Sequence, residues 1–148
     1  MTTGKQLFST LADGKLTVEI AAINYADPTG NQVLVQMEAA PINPSDLALL
    51  TGAADLENAE YSDGKFVASM PEPFFSAQKG RHGSRLPVGN EGAGTVIAAG
   101  EGEAAQALIG QRVACVPGSA YSQYCVADAA MCLPLGDISS EDGASAFV

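Results

Sequence analysis

The sequence predicts a mainly β domain, a small antiparallel barrel with a few short helices. Two observations carry this. About six short segments alternate apolar and polar residues with turn chemistry between them, the pattern of half-buried strands. Sixteen glycines and eight prolines punctuate a chain that lacks long helical periodicity. The 148 residues are 47% hydrophobic and 16% charged. That is enough apolar side chain for one core, and a composition unlike that of disordered chains.

Residues 16–20, Leu-Thr-Val-Glu-Ile, alternate as a strand, and Asp27-Pro28-Thr29-Gly30-Asn31 is turn chemistry. Residues 32–38 return as a second strand, so the two read as a hairpin or meander. A helix of about two turns follows, because Pro44 suits the first helical position and Asn43 the N-cap. Asp46 sits at the positive end of its dipole, and Gly52 is a natural stop. Residues 53–85 lose clean periodicity and read as a long loop, with part of 53–60 helical. Within it Met70, Phe74 and Phe75 are apolar. They are expected to pack over a substrate cleft or onto a neighbouring subunit, the alternative being that they pin the loop to its own barrel. His82, in the basic run 79–85, reads as solvated. Strand patterning resumes in the second half of 86–100, then a helical turn at 103–108. Strands follow after Gly110-Gln111 and at 121–127 and 131–135, with Tyr121 and Tyr124 as strand residues packing on the barrel. Ser139-Ser140-Glu141-Asp142 resembles a cap before a helix running from Ala144 to Val148. That helix is cut mid-element, so the chain reads as part of a longer protein.

Charge and cysteine usage narrow the function. Seven Lys+Arg against 17 Asp+Glu leave a net charge of −10, which repels phosphate backbones and anionic lipid. Neither nucleic acid nor a membrane is expected as a partner, and a cytoplasmic address follows from the lack of a signal-like start. Cys115, Cys125 and Cys132 read as reduced thiols. With a single histidine and no CxxC they make a poor zinc set.

Three stretches carry a family resemblance: Pro41-Ile42-Asn43-Pro44-Ser45-Asp46, Pro87-Val88-Gly89-Asn90-Glu91-Gly92-Ala93-Gly94-Thr95-Val96, and Gly110-Gln111-Arg112-Val113. Together they resemble the N-terminal GroES-like domain of the medium-chain dehydrogenase/reductase superfamily. The nearest branch is that of the zinc-independent quinone oxidoreductases and 2-enoyl thioester reductases. The tail 137–146 resembles the lead into that superfamily's nucleotide-binding domain. Nearly the whole chain is covered, except 53–85, which is longer than usual.

The resemblance implies a GroES-like, partly open antiparallel barrel over residues 1–148, forming the substrate-side domain. A Rossmann domain is expected downstream and absent from this chain. It would bind most of an NADPH or NADH cofactor. Zinc-dependent relatives carry Cys where Asn43 stands and His where Asn90 stands, so no zinc is expected here. Reduction of a simple aldehyde concentrates charge on one oxygen, whereas a quinone, enone or enoyl thioester spreads it. Neutral hydrogen-bond donors then suffice. The implied substrate is therefore a small conjugated carbonyl, and the implied full-length protein a homodimer.

Asn43, Ser45 and Asn90 are the candidate catalytic residues, with Asn43 also touching the cofactor. Tyr61 is the candidate proton donor, because the enoyl reductase branch uses a Tyr after the Asn-Pro-Ser-Asp helix; a plain surface or core Tyr is the other reading. Glu91 reads as an anchor bonded to backbone or an Arg, the other reading being a general base, and Gly92 as part of its turn. The glycines at 89, 92 and 94 precede a strand, unlike a dinucleotide fingerprint. The rival readings are a non-catalytic GroES-like structural or co-chaperonin-type protein, and a zinc-free alcohol dehydrogenase relative.

Overall fold

The computed structural model describes residues 1–147 and is mainly β. Ten strands are present: β1 (Thr2–Ala12), β2 (Lys15–Tyr25), β3 (Gln32–Ala39), β4 (Glu60–Ser62), β5 (Lys65–Ser69), β6 (Arg85–Pro87), β7 (Gly92–Ala99), β8 (Arg112–Cys115), β9 (Tyr124–Asp128) and β10 (Cys132–Pro134). Four short helices accompany them: α1 (Pro44–Leu50), α2 (Phe74–Ala77), α3 (Glu103–Gln106) and α4 (Ser140–Gly143). The strands form two five-stranded antiparallel sheets, ordered β4-β5-β2-β1-β6 and β10-β8-β7-β3-β9. The sheets do not close into one ladder, so the barrel is partly open, as the sequence implied. They are stitched where β1 meets the segment before β9. Leu7 N–H donates to Tyr121 O (2.8 Å) and Gln123 N–H to Lys5 O (2.9 Å).

The main core lies on the inner face of the second sheet, where Val33, Val35, Val96, Val113, Cys115 and Cys125 are all sealed from solvent. Burial of each such valine is worth about 1.5–3 kcal/mol. A smaller cluster, Leu11, Leu16 and Met70, anchors the first sheet.

Several expectations are corrected. About six strands were expected, and ten are found. The strand β1 escaped because its buried positions include Gly4, Gln6 and Ser9, which do not read as apolar. Its signal was the Asp13-Gly14 turn, both residues at positive φ (50° and 70°), which closes the β1–β2 hairpin. The strands at 16–20 and 32–38 do not pair, since β2 bonds to β1 and β5, and β3 to β7 and β9. The turn between them is a crossing from sheet to sheet. Residues 53–85 are not one loop. They hold the β4–β5 hairpin, turned by Asp63-Gly64, then α2, a 3-10 turn and β6, while 53–60 is not helical.

Met70 and Phe75 pack against the Leu11–Leu16 cluster, so they pin the segment to its own sheet. Phe74 is exposed. His82 is half-buried rather than solvated: its ring stacks on Phe75 at 3.9 Å, and its Nε2 lies 2.8 Å from Phe75 O. Tyr121 stands ahead of β9 rather than in it. The C-terminal helix ends at Gly143, and Val148 lies outside the described residues.

The helix α4 is fastened by Glu38. Its carboxylate accepts from the Ser140 hydroxyl and from Thr95 Oγ1 (2.7 Å), and Arg112 Nε stands 3.8 Å away. These bonds, that from Ser140 first, hold the Glu38 carboxyl below the ordinary 4.5. A depressed folded-state pKa means that the stabilisation is present above pH 4.5 and fades as pH falls through the lower folded value. The exchange protection of residues 140–143, taken relative to the intrinsic rate at each pH, is therefore expected to fall on acidification below pH 4.5. That fall should vanish in Glu38→Gln. An unchanged acid response in that variant would assign the effect elsewhere.

Candidate functional site

The site is built where the start of α1 meets the turn from residue 89 to 92. Pro41 and Pro44 stiffen the chain around Asn43, the N-cap in extended geometry. Asn43 N–H donates to Asp46 Oδ2 (3.1 Å), and Asp46 N–H returns to Asn43 O (3.0 Å). This closes the first turn of the helix through the backbone of Asn43. Its side chain is thereby free, and its Nδ2 donates to Glu91 Oε1 (3.0 Å).

Two carboxylates underlie the surface. Asp46 is 2% exposed and Glu91 1%. Besides Asn43, Asp46 receives Asn90 N–H on Oδ1 (3.0 Å). The Tyr121 hydroxyl lies between Asp46 Oδ2 (3.0 Å) and Pro41 O (2.8 Å) and has one proton to share with them. No cation pairs with Asp46 or Glu91 among the described residues. Hydrogen bonds from neutral donors balance both charges, as buried carboxylates require. Glu91 Oε2 takes Phe147 N–H (2.9 Å), which ties the C-terminal segment to the same spot. Burial, with the Asp46 bond and charge added, pushes the Tyr121 hydroxyl far above its ordinary 10, so it stays a neutral donor.

Glycines let the turn press inward. Gly89 has φ +98°, and a Cβ there would stand 2.6 Å from Tyr121 N. A Cβ on Gly92 would meet Met37 Cε at 2.6 Å and Ala39 O at 2.7 Å. Only with both positions bare can Asn90 and Glu91 reach α1.

Above the carboxylates lies a polar pair. Asn90 Nδ2 donates to Ser45 Oγ at 2.6 Å, with Ser45 exposed and Asn90 half-buried. Having accepted that bond, the Ser45 hydroxyl keeps its own proton to donate, and the Asn90 amide keeps its second N–H. Two neutral donors are thus presented on one patch. Asn43 lies at its edge, 9% exposed and bonded to Glu91.

The structure brings Asn43, Ser45, Asn90, Glu91 and Gly92 together. Tyr61 stands apart, 77% exposed on β4, the outer strand of the first sheet, with no hydrogen bond to this cluster. Tyr121 and the load on Asp46 were not foreseen as parts of the site. Nothing local in the sequence marks them, since the two residues are 75 positions apart. Among the described residues no group of three or more His, Cys, Asp or Glu side chains converges as a metal-binding set. Among the same residues no helix is long and apolar enough to cross a membrane.

Solved structures share this architecture. A Mesorhizobium loti protein assigned as an NADPH:quinone reductase superposes with a TM-score of 0.66 at 28% identity, over 100% of this chain and 42% of that one. Quinone oxidoreductase from Pseudomonas syringae gives 0.62 at 25% identity, over 95% and 36%. A mycobacterial protein solved with NADPH gives 0.61 at 22%, over 98% and 38%, a likeness of fold. The chain thus spans about two fifths of the length of these relatives. No curated protein sequence matches it. The family model for the alcohol dehydrogenase GroES-like domain matches residues 29–140, from the sheet-to-sheet crossing to the first residue of α4. On that match, supported by the shared fold, the chain belongs to the alcohol dehydrogenase GroES-like domain family.

Proposed function

We propose that this domain forms the substrate-side wall of an NAD(P)H-dependent oxidoreductase that reduces a quinone or an α,β-unsaturated carbonyl or thioester. The observation that carries the reading is the Ser45–Asn90 donor pair, bonded at 2.6 Å on the surface patch and held from below by Asp46 through Asn90 N–H. Conjugated acceptors place developing negative charge on one oxygen as an enolate or phenolate. Preoriented neutral donors stabilise that charge, and they need no reorganisation if a supporting layer holds them fixed. Asp46 supplies that support by gripping the backbone of Asn43 and Asn90 at once. The quinone reductases among the relatives act on acceptors of this class.

The nicotinamide, when bound, supplies the hydride. Among the described residues no helix opens with the glycine-rich fingerprint that cradles a dinucleotide; in this reading a nucleotide-binding domain elsewhere in the protein would supply most cofactor contacts. On this side Asn43 is the residue at the edge of the patch that suits a contact to the cofactor, through its remaining amide N–H. Ser45, bonded to Asn90 and still holding a donatable proton, suits delivery of a proton to the reduced product better than Tyr61, which stands on the other sheet.

The test is steady-state turnover by the full-length protein with NADPH and NADH against benzoquinones, enones and crotonyl thioesters. Turnover of at least one of these classes is expected, and none by residues 1–148 alone, because hydride donor and acceptor must meet in one cleft. Silence towards all acceptors would favour the non-catalytic reading. Turnover by the single domain would remove the two-domain argument.

A further inference from the structure

The three cysteines have no part in the site above, yet they are not scattered. Cys115 and Cys125 are sealed in the main core, 0% and 1% exposed, while Cys132 is half-buried against the same cluster. The Cys125 thiol lies 3.3 Å from Met37 Sδ, in the same core cluster as Cys115. Cys132 on β10 stands directly opposite Cys115 on β8 in an antiparallel ladder.

The kind of rung matters. Leu135 N–H donates to Arg112 O at 2.9 Å, which places a hydrogen-bonded rung at 112 and 135. Bonded and non-bonded rungs alternate, so 114 and 133 are bonded, whereas 113 with 134 and 115 with 132 are not. The placement of Pro134 agrees, because it has no N–H to give. At a non-bonded rung the Cα atoms approach to about 4.5 Å, within the span that a disulfide bridges. Both side chains point to the inner face, with Val113 and the rest of the cluster.

We propose that Cys115 and Cys132 are a reversible oxidation site, forming a cross-strand disulfide when the protein meets a hydroperoxide. Cys132 is the entry point, since Cys125 and Cys115 are closed to solvent. The Cys132 thiolate attacks the distal peroxide oxygen, the O–O bond breaks, and sulfenic acid forms with release of water or alcohol. The Cys115 sulfur then attacks the Cys132 sulfur, the S–O bond breaks, and a second water leaves. Two electrons pass from the two sulfurs to the peroxide, and both thiol protons end in the released water or alcohol.

Burial pushes the Cys132 thiol up to about 12. Its thiolate fraction, and with it the rate, should rise about tenfold per pH unit across the neutral range. The oxidised rung extends to β7, because Cys115 also faces Gly92, the residue after Asn90-Glu91. The disulfide would therefore fasten β10 to β8, the ladder neighbour of the strand that flanks the donor turn.

The experiment treats the full chain with hydrogen peroxide, blocks free thiols in denaturant, and reads the intact mass. Cleavage after Tyr124 and before Asp128 separates the three cysteines for mapping. A loss of two hydrogens, reversed by dithiothreitol and mapped to a peptide joining Cys115 with Cys132, is expected. Cys132→Ser should abolish it, and Cys125→Ala should keep it. A disulfide that survives in Cys132→Ser would overturn the proposal. So would sulfinic acid accumulating at Cys132 while Cys115 stays alkylatable.

Discussion

Asp46→Ala is expected to destabilise the domain by about 3–5 kcal/mol, among the largest effects open to a single side chain here. The carboxylate is buried and receives three donors from three separate parts of the chain: Asn43 N–H, Asn90 N–H and the Tyr121 hydroxyl. Alanine leaves the Asn43 and Asn90 N–H groups short of an acceptor where water cannot easily replace it, at about 1–3 kcal/mol each, while the Tyr121 hydroxyl turns wholly to Pro41 O. Asp46→Asn keeps one carbonyl oxygen but turns an NH2 towards a donor, so a loss of about 2 kcal/mol is expected. Tyr121→Phe removes one donor and leaves the carboxylate two, at about 1 kcal/mol. Denaturant titration with an unchanged m-value measures each, and a double-mutant cycle should show coupling between Asp46 and Tyr121. A loss under 1 kcal/mol for Asp46→Ala would mean that the junction is held by other contacts.

The second large effect falls on turnover. On the proposed reading, Asn90→Ala in the full-length protein is expected to lower kcat about 10²-fold, the usual loss for one well-placed donor to a developing oxyanion. Ser45→Ala should fall in the same range, and the double variant should lose less than the product of the two, because the residues act as one bonded pair. Asn43→Ala is a different case. It strips Glu91 of a buried donor, so a stability loss of about 1–3 kcal/mol should accompany any loss of rate. Measuring kcat below the midpoint of unfolding separates the two contributions. Full wild-type turnover in both Asn90→Ala and Ser45→Ala would exclude the pair from the chemistry.

The parts of this fold that were legible in the sequence are those where short apolar runs are bounded by turn residues, such as β3, β7 and β9, and where helix chemistry is explicit, as at Asn43-Pro44. β1 was not legible, because its inward positions are occupied by Gly4, Gln6 and Ser9, which suit a tight space without being hydrophobic. Residues 53–85 hid their structure for a related reason. The strands β4 and β5 are short, and the charged residues around Asp63-Gly64 mask the turn that joins them. The motif residues of the site stood out through their family pattern, and that pattern says nothing of how they are held. Tyr121 looks like any aromatic residue beside a strand. Its hydroxyl acquires a task only when the fold carries it to Asp46, 75 residues earlier.

The seam between the sheets has a consequence for biosynthesis. Its outer half, Lys5 to Leu7 on β1, is completed by residues 121–123, so its two sides leave the ribosome 118 residues apart at Lys5 and Gln123. At about 5–20 residues per second that separation lasts roughly 6–24 s. Throughout it the β1–β2 hairpin can form from local contacts, while the free edge of β1 still lacks its partner. Joining the sheets is therefore a late, long-range closure with a large entropic cost. During vectorial synthesis the nascent chain would carry an open strand edge on β1 until residues 121–123 emerge, the interval in which a chaperone or a neighbouring chain can reach it.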